Sequence, residues 1–64
     1  MVWHTPEEEM PPPGTHVMVE IQTGYGCRMH IYGWFEPNGW HLLRDDIRVF
    51  KVLRWSFFKK GGTG

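Results

Sequence analysis

The stretch "GWFEPNGW", residues 33–40, sets two tryptophans around a proline, an asparagine and a glycine. Proline presets φ for the second position of a type I turn, asparagine suits the third, and glycine takes the left-handed position of the bulge that follows. "EPNG" therefore predicts a three-residue hairpin loop with a glycine bulge. In that register Glu36 opposes Trp40, Phe35 opposes His41 and Trp34 opposes Leu42. Side chains alternate across a strand. One face is then expected to carry Arg28, His30, Tyr32, Trp34, Glu36, Trp40 and Leu42. The other carries Cys27, Met29, Ile31, Phe35, His41 and Leu43, with a gap at Gly33. The second, plainer set is the expected core. On the first, Trp34 and Trp40 should lie diagonally within reach of each other.

Working outward, Val17, Val19 and Ile21 alternate with His16, Met18, Glu20 and Gln22. This period of two predicts a half-buried strand over 16–22. "TGYG", 23–26, is its turn. The next strand runs over 27–35 and a short third one over 40–43. "RDD" makes a corner, and "IRVFKVLRW", 47–55, reads as a fourth strand. The alternation of Ile47, Val49, Leu53 and Trp55 favours it over the alternative, a helix capped at Asp45, although Lys51 interrupts that face. Residues 1–15 form an arm. Pro11, Pro12 and Pro13 lack amide donors and favour an extended chain. "TPEEE" suits a single turn with Thr5 as its cap. The expected organisation is an arm over 1–15, a sheet domain over 16–58 and a disordered glycine-rich tail over 59–64.

A chain of 64 residues is at most one domain and hides only about 60% of its unfolded surface on folding. Such chains need staples, partners or unusually large core side chains. Here four tryptophans, four phenylalanines and two tyrosines offer the last option. Cys27 is the sole cysteine, which excludes an internal disulfide and fits a reducing compartment. The first twenty residues carry acids and prolines where a leader's apolar stretch would stand. No apolar run approaches the roughly 20 residues that cross a bilayer. The expected location is cytoplasmic, with no membrane partner.

Formal net charge is zero, but the signs are segregated. Glu7, Glu8, Glu9 and Glu20 occupy the first twenty residues without a Lys or Arg. Arg44, Arg48, Lys51, Arg54, Lys59 and Lys60 crowd the last third against Asp45 and Asp46. Either the basic end faces a nucleic acid or an acidic partner, or the acidic arm lies near it and neutralises it.

Four histidines and Cys27 raise the question of a metal. Cys27 and His30 stand three apart, and on a strand an odd separation sends side chains to opposite faces. No paired Cys/His spacing of a structural zinc site occurs, so neither metal nor cofactor is expected. Ser56, the only serine, has no motif beside it that would make it a nucleophile. The expectation is a non-catalytic protein. The aromatic surplus points to a binding module for another protein, with Arg28, Tyr32, Trp34 and Trp40 as the contact surface. Two explanations of that face stay open: the arm covers it, or it binds a partner. The alternative is single-strand nucleic-acid binding, in which those rings stack on bases and Arg48, Lys51 and Arg54 hold phosphates. A third is a self-associating structural component. The proline run could also be a ligand for an SH3- or WW-type groove, although packing on the chain's own Trp3 or Trp34 is favoured.

Trp3, Pro11 preceded by Met10, Gly14, "VMV" at 17–19, "GWFEPNGW" and a final "VLRW" with Trp55 together resemble a family of small phage and prophage proteins of unknown function. Members carry an early tryptophan, a Leu-Pro pair, a glycine, a "VLV" run, a Gly-Trp hairpin and an ending similar to "HWMPLP". In this chain Met10 stands for the leucine, and "SFFKK" replaces the proline-rich finish. The resemblance implies mechanical roles: Trp3 anchors the arm, Gly14 turns it, Trp40 closes the hairpin and Trp55 ends the last strand. It also implies a context, an accessory protein of a phage or prophage in bacterial cytoplasm; the aromatic surplus on a chain without a catalytic constellation in turn suggests a host protein or its own copy as partner. The fold expected is all-β, a small antiparallel meander of three or four strands, bent or partly closed, with the proline-rich arm across one face.

Overall fold

Val17, Val19 and Ile21 are fully buried, and the alternation that places them on one side produces strand β1 (Val17–Thr23). The computed structural model describes residues 2–57; the expected tail at 59–64 lies outside them. Three further strands follow: β2 (Arg28–Glu36), β3 (Gly39–Leu42) and β4 (Phe50–Phe57). Among the described residues there is no helix, so the chain is all-β. The strands form one open antiparallel sheet in the order β3-β2-β1-β4. The first three make a meander. The fourth returns beside the first, which is the Greek-key order.

The hairpin forms where "EPNG" places it, but in a different register. Glu36 pairs with Gly39, Phe35 with Trp40, Trp34 with His41 and Gly33 with Leu42. Gly39 has φ 130°, too open for the left-handed bulge that the type I turn was expected to use. It joins the ladder instead, and the loop shrinks to Pro37 and Asn38. Shifting register by one residue exchanges the faces of a whole strand. Leu42 is therefore in the core, and Leu43, expected there, is 54% exposed. Trp34 and Trp40 do not share a face.

Strand β4 begins at Phe50 rather than Ile47, and no helix starts at Asp45. The register against β1 shifts between Glu20 and Ile21: Glu20 faces Arg54, but Ile21 faces Val52. Leu53 is the extra residue of a β-bulge. The bulge resolves the interruption at Lys51. Phe50 and Val52 point to the core from one side of it and Trp55 from the other, while Lys51 pairs with Gln22 and is exposed. Ile47 still packs on the core from the connector. Val49 is exposed.

The core is Val17, Val19, Ile21, Leu42 and Trp55, flanked by Met29, Ile31, Trp40, Ile47, Phe50 and Val52. Burying one such aliphatic side chain is worth about 1.5–3 kcal/mol. Trp55, the largest fully buried side chain, needs a cover beyond the sheet itself, and the arm supplies it. His4 and Trp55 exchange backbone hydrogen bonds of 2.8 Å each, an isolated bridge on the outer edge of β4. The His4 ring lies 4.8 Å from the indole, whose Nε1–H donates to the Glu9 carbonyl at 2.8 Å. Thr5 closes the expected turn, its carbonyl accepting from the amides of Glu8 and Glu9 at 3.0 Å. Pro11 is buried. A second turn, Pro12–Thr15, has Gly14 at φ 80° in its third position, as a type II turn requires. The Gly14 amide then donates to the Phe35 carbonyl at 2.8 Å. The arm thus straps the Trp55 side of the sheet. Of the two explanations open for the Tyr32–Trp34 face, one had the arm across it; on that side of the sheet Trp3 reaches the row of His30 and Arg54.

Candidate functional site

The register lays the outer face out in rows. Because Glu20 faces His30 on β2 and Arg54 on β4, three polar side chains line up across three strands. The Glu20 carboxylate accepts from His30 Nε2 at 3.0 Å and from Arg54 Nε at 2.8 Å, with Arg54 Nη2 also 2.8 Å away. An ionised carboxylate only accepts, so the proton of this contact sits on His30 Nε2. Glu20 is only 12% exposed. Trp3 covers the row: its ring is 5.0 Å from the His30 ring, and Arg54 Cζ lies 4.5 Å above it, a cation–π contact.

The hydrogen bond from His30, followed by that from Arg54, holds the Glu20 carboxyl below its ordinary value of 4.5. A carboxyl depressed in the folded state favours folding above its unfolded pKa, and that contribution is lost as pH falls through the folded value. Glu20→Gln is therefore expected to melt lower than the parent at pH 7 and to lose less stability between pH 5 and pH 3, following the ordinary Glu value of 4.5 downward. Asp46, also depressed by its hydrogen bond from Arg44, keeps its own acid dependence in both proteins. Thermal melts across that range check this. Parallel melting curves for the two proteins would remove Glu20 from the acid response.

Two rows up, beyond Met18 and Tyr32, His16, Trp34 and His41 come from β1's approach, β2 and β3. Trp34 lies between the two imidazoles, 4.8 Å from His16 at 22° and 5.5 Å from His41 at 12°. Its neighbours approach from opposite sides, because β1 and β3 flank β2. His41 Nε2 is in turn 3.0 Å from Asn38 Oδ1. At the other end of the sheet Arg28 and Lys51 both face Gln22. Both are exposed.

Of the four expected contact residues, Arg28, Tyr32 and Trp34 share the outer face; Tyr32 and Trp34 are neighbours along β2, and Arg28 lies at its other end, beyond His30. Trp40 goes to the core margin, where it packs edge-on against Phe35 at 5.4 Å. The expected basic set is also divided. Arg48 sits on the connector before β4. Lys51 and Arg54, an odd number apart, share the outer face because the bulge at Leu53 intervenes. Arg54 is engaged by Glu20. The row of Glu20, His30, Arg54 and Trp3 was not legible from spacing. Its one signal is an acid at the centre of an apolar strand, between Val19 and Ile21.

Among the described residues no three His, Cys, Asp or Glu side chains converge as a metal site, and no helix is long and apolar enough to cross a membrane. Fold and site together define a small open β-sheet domain with one strapped core face and one polar–aromatic face. Compared with protein-family models, curated proteins and solved structures, the chain matches none.

Proposed function

We propose that the protein is a non-catalytic accessory module of a phage or prophage, working in bacterial cytoplasm by binding another protein through its outer face. The observation that carries this reading is the stack His16–Trp34–His41 next to Tyr32 on the outer face. Both flat faces of the Trp34 indole are occupied by imidazoles, so a nucleobase has no free face on which to stack. What remains is the edge of a rigid aromatic block, the kind of surface that protein interfaces use as an anchor, with Arg28 farther along the same face. A second reading, binding of single-stranded nucleic acid, draws on Arg28 and Lys51, which the bulge places in one row.

The test uses a partner captured from bacterial lysate, identified, purified and titrated calorimetrically. Arg28→Ala with Tyr32→Ala is expected to weaken binding at least about tenfold, as hot-spot truncations do, at temperatures where the variant is folded. Trp40→Ala is expected to lower stability and leave affinity unchanged at temperatures where it is folded. Unchanged affinity in the Arg28/Tyr32 variant overturns the reading. Salt-dependent quenching of the tryptophans by an oligonucleotide would support the second one.

A further inference from the structure

Outside the outer face, the hairpin turn after β1 and the connector before β4 enclose an open groove of about 540 Å3. Tyr25, Cys27, Met29, Ile47, Arg48 and Val49 line it, so its walls are mostly apolar. Tyr25 and Val49 are 98% and 73% exposed. Two arginines reach it. Arg44 is held by Asp46 through two hydrogen bonds of 3.0 and 2.6 Å. Arg48 has no carboxylate partner among the described residues, and Asp45 is not part of the walls. The groove therefore suits a segment that presents an apolar side chain next to a carboxylate.

The chain itself exposes such a segment. The turn capped by Thr5 projects Glu7 and Glu8, neither of which forms an ion pair among the described residues, and Met10 follows, 39% exposed. Among the described residues the acidic arm forms no ion pair with the basic end, and its ion pair there is internal, His4 to Glu9 at 3.6 Å. The arm turn sits beside Trp55, while Arg48 stands next to Val49, whose carbonyl accepts from Gly24 at the far end of β1. The complementary surfaces lie at different places on the same molecule.

We propose that the protein associates head to tail, with the Glu7–Glu8–Met10 turn of one copy docked in the Arg48 groove of the next. Met10 fills the apolar floor and the carboxylates face Arg48. Such a contact is heterologous, so it adds copies in a row rather than closing a symmetric pair. Four arm residues bury far less than the roughly 1,200 Å2 of stable interfaces. Association is accordingly weak and depends on charge. This inference does not rest on the outer-face reading, and its test touches none of that face's residues.

The experiment is sedimentation velocity on the full chain up to about 1 mM, at low ionic strength and again near 1 M salt, where screening shortens to about 3 Å. The wild type is expected to gain mass with concentration at low salt and to return to monomer at high salt. Arg48→Glu alone and Glu7→Arg with Glu8→Arg are each expected to stay monomeric, since each opposes like charges. An equimolar mixture of the two variants restores opposite charges at every contact and is expected to associate again. A monomeric wild type at low salt overturns the proposal, as does either variant associating alone or a mixture that stays monomeric. Association of the wild type only with an added acidic peptide, and not with itself, would also overturn it in favour of a foreign occupant.

Discussion

Removal of residues 1–13 is expected to abolish cooperative folding. The sheet alone leaves one side of Trp55 open, and the arm closes it: the fully buried indole touches His4 and donates to the Glu9 carbonyl. Uncovering about 100 Å2 of the ring would cost about 2.5 kcal/mol at the usual area coefficient. The two His4–Trp55 backbone bonds and the indole bond add about 1 kcal/mol each in net terms. The sum, about 5–6 kcal/mol, equals the whole stability of many small domains. Trp3, which covers the Glu20–His30–Arg54 row, goes with it. The truncated chain should show no sigmoidal melt, and its tryptophan emission should shift to that of solvated indole. A cooperative transition within a few degrees of the full chain would mean that the sheet holds Trp55 without a strap.

Gly33→Ala is expected to be nearly as damaging, although it adds a single methyl group. Gly33 sits at the centre of three strands, facing Val17 on β1 and Leu42 on β3. A Cβ there would clash with the His41 carbonyl oxygen and meet Leu42 Cδ2 at 3.1 Å. The oxygen belongs to backbone and cannot rotate away, so β3 must slide or detach. Overpacking of this kind typically costs about 1–3 kcal/mol, and for a domain of this size each kcal/mol lowers Tm by about 4–8 °C. The expected loss is therefore of the order of 10 °C or more, with β3 amides exchanging fastest. An alanine variant melting within about 2 °C of the parent would show that β3 yields freely to the added methyl.

How much of this was legible follows from particular residues. Strand β1 was, because Val17, Val19 and Ile21 are β-branched and alternate, and period two has one structural meaning in a short run. The hairpin at Pro37–Asn38 was legible as a turn but not as a register. Turn chemistry constrains φ at Pro37, yet a glycine at 39 takes the bulge conformation or the more open positive φ seen here with little difference in local energy. Packing made the choice: in the observed register Leu42 fills the core beside Val19, and Phe35 meets Trp40. The bulge at Leu53 was hidden because nothing local marks it. It reconciles Trp55 and Val52 on the core side with Arg54 opposite Glu20, and all of these are long-range pairings.

By itself the sequence determined that the chain is all-β, where its turns fall, that the arm is extended, and which rings were available for a core. These depend on backbone sterics and side-chain periodicity, which act over a few residues. The tertiary structure decided which rings are covered: Trp55 under the arm, Trp40 at the core margin, Trp34 between two imidazoles. It also decided that Glu20 is ionised against His30 and Arg54 while Arg48 faces an open groove. Those outcomes depend on which strand lies beside which and in what register, and pairing partners separated by tens of residues are chosen by the summed burial of the whole sheet.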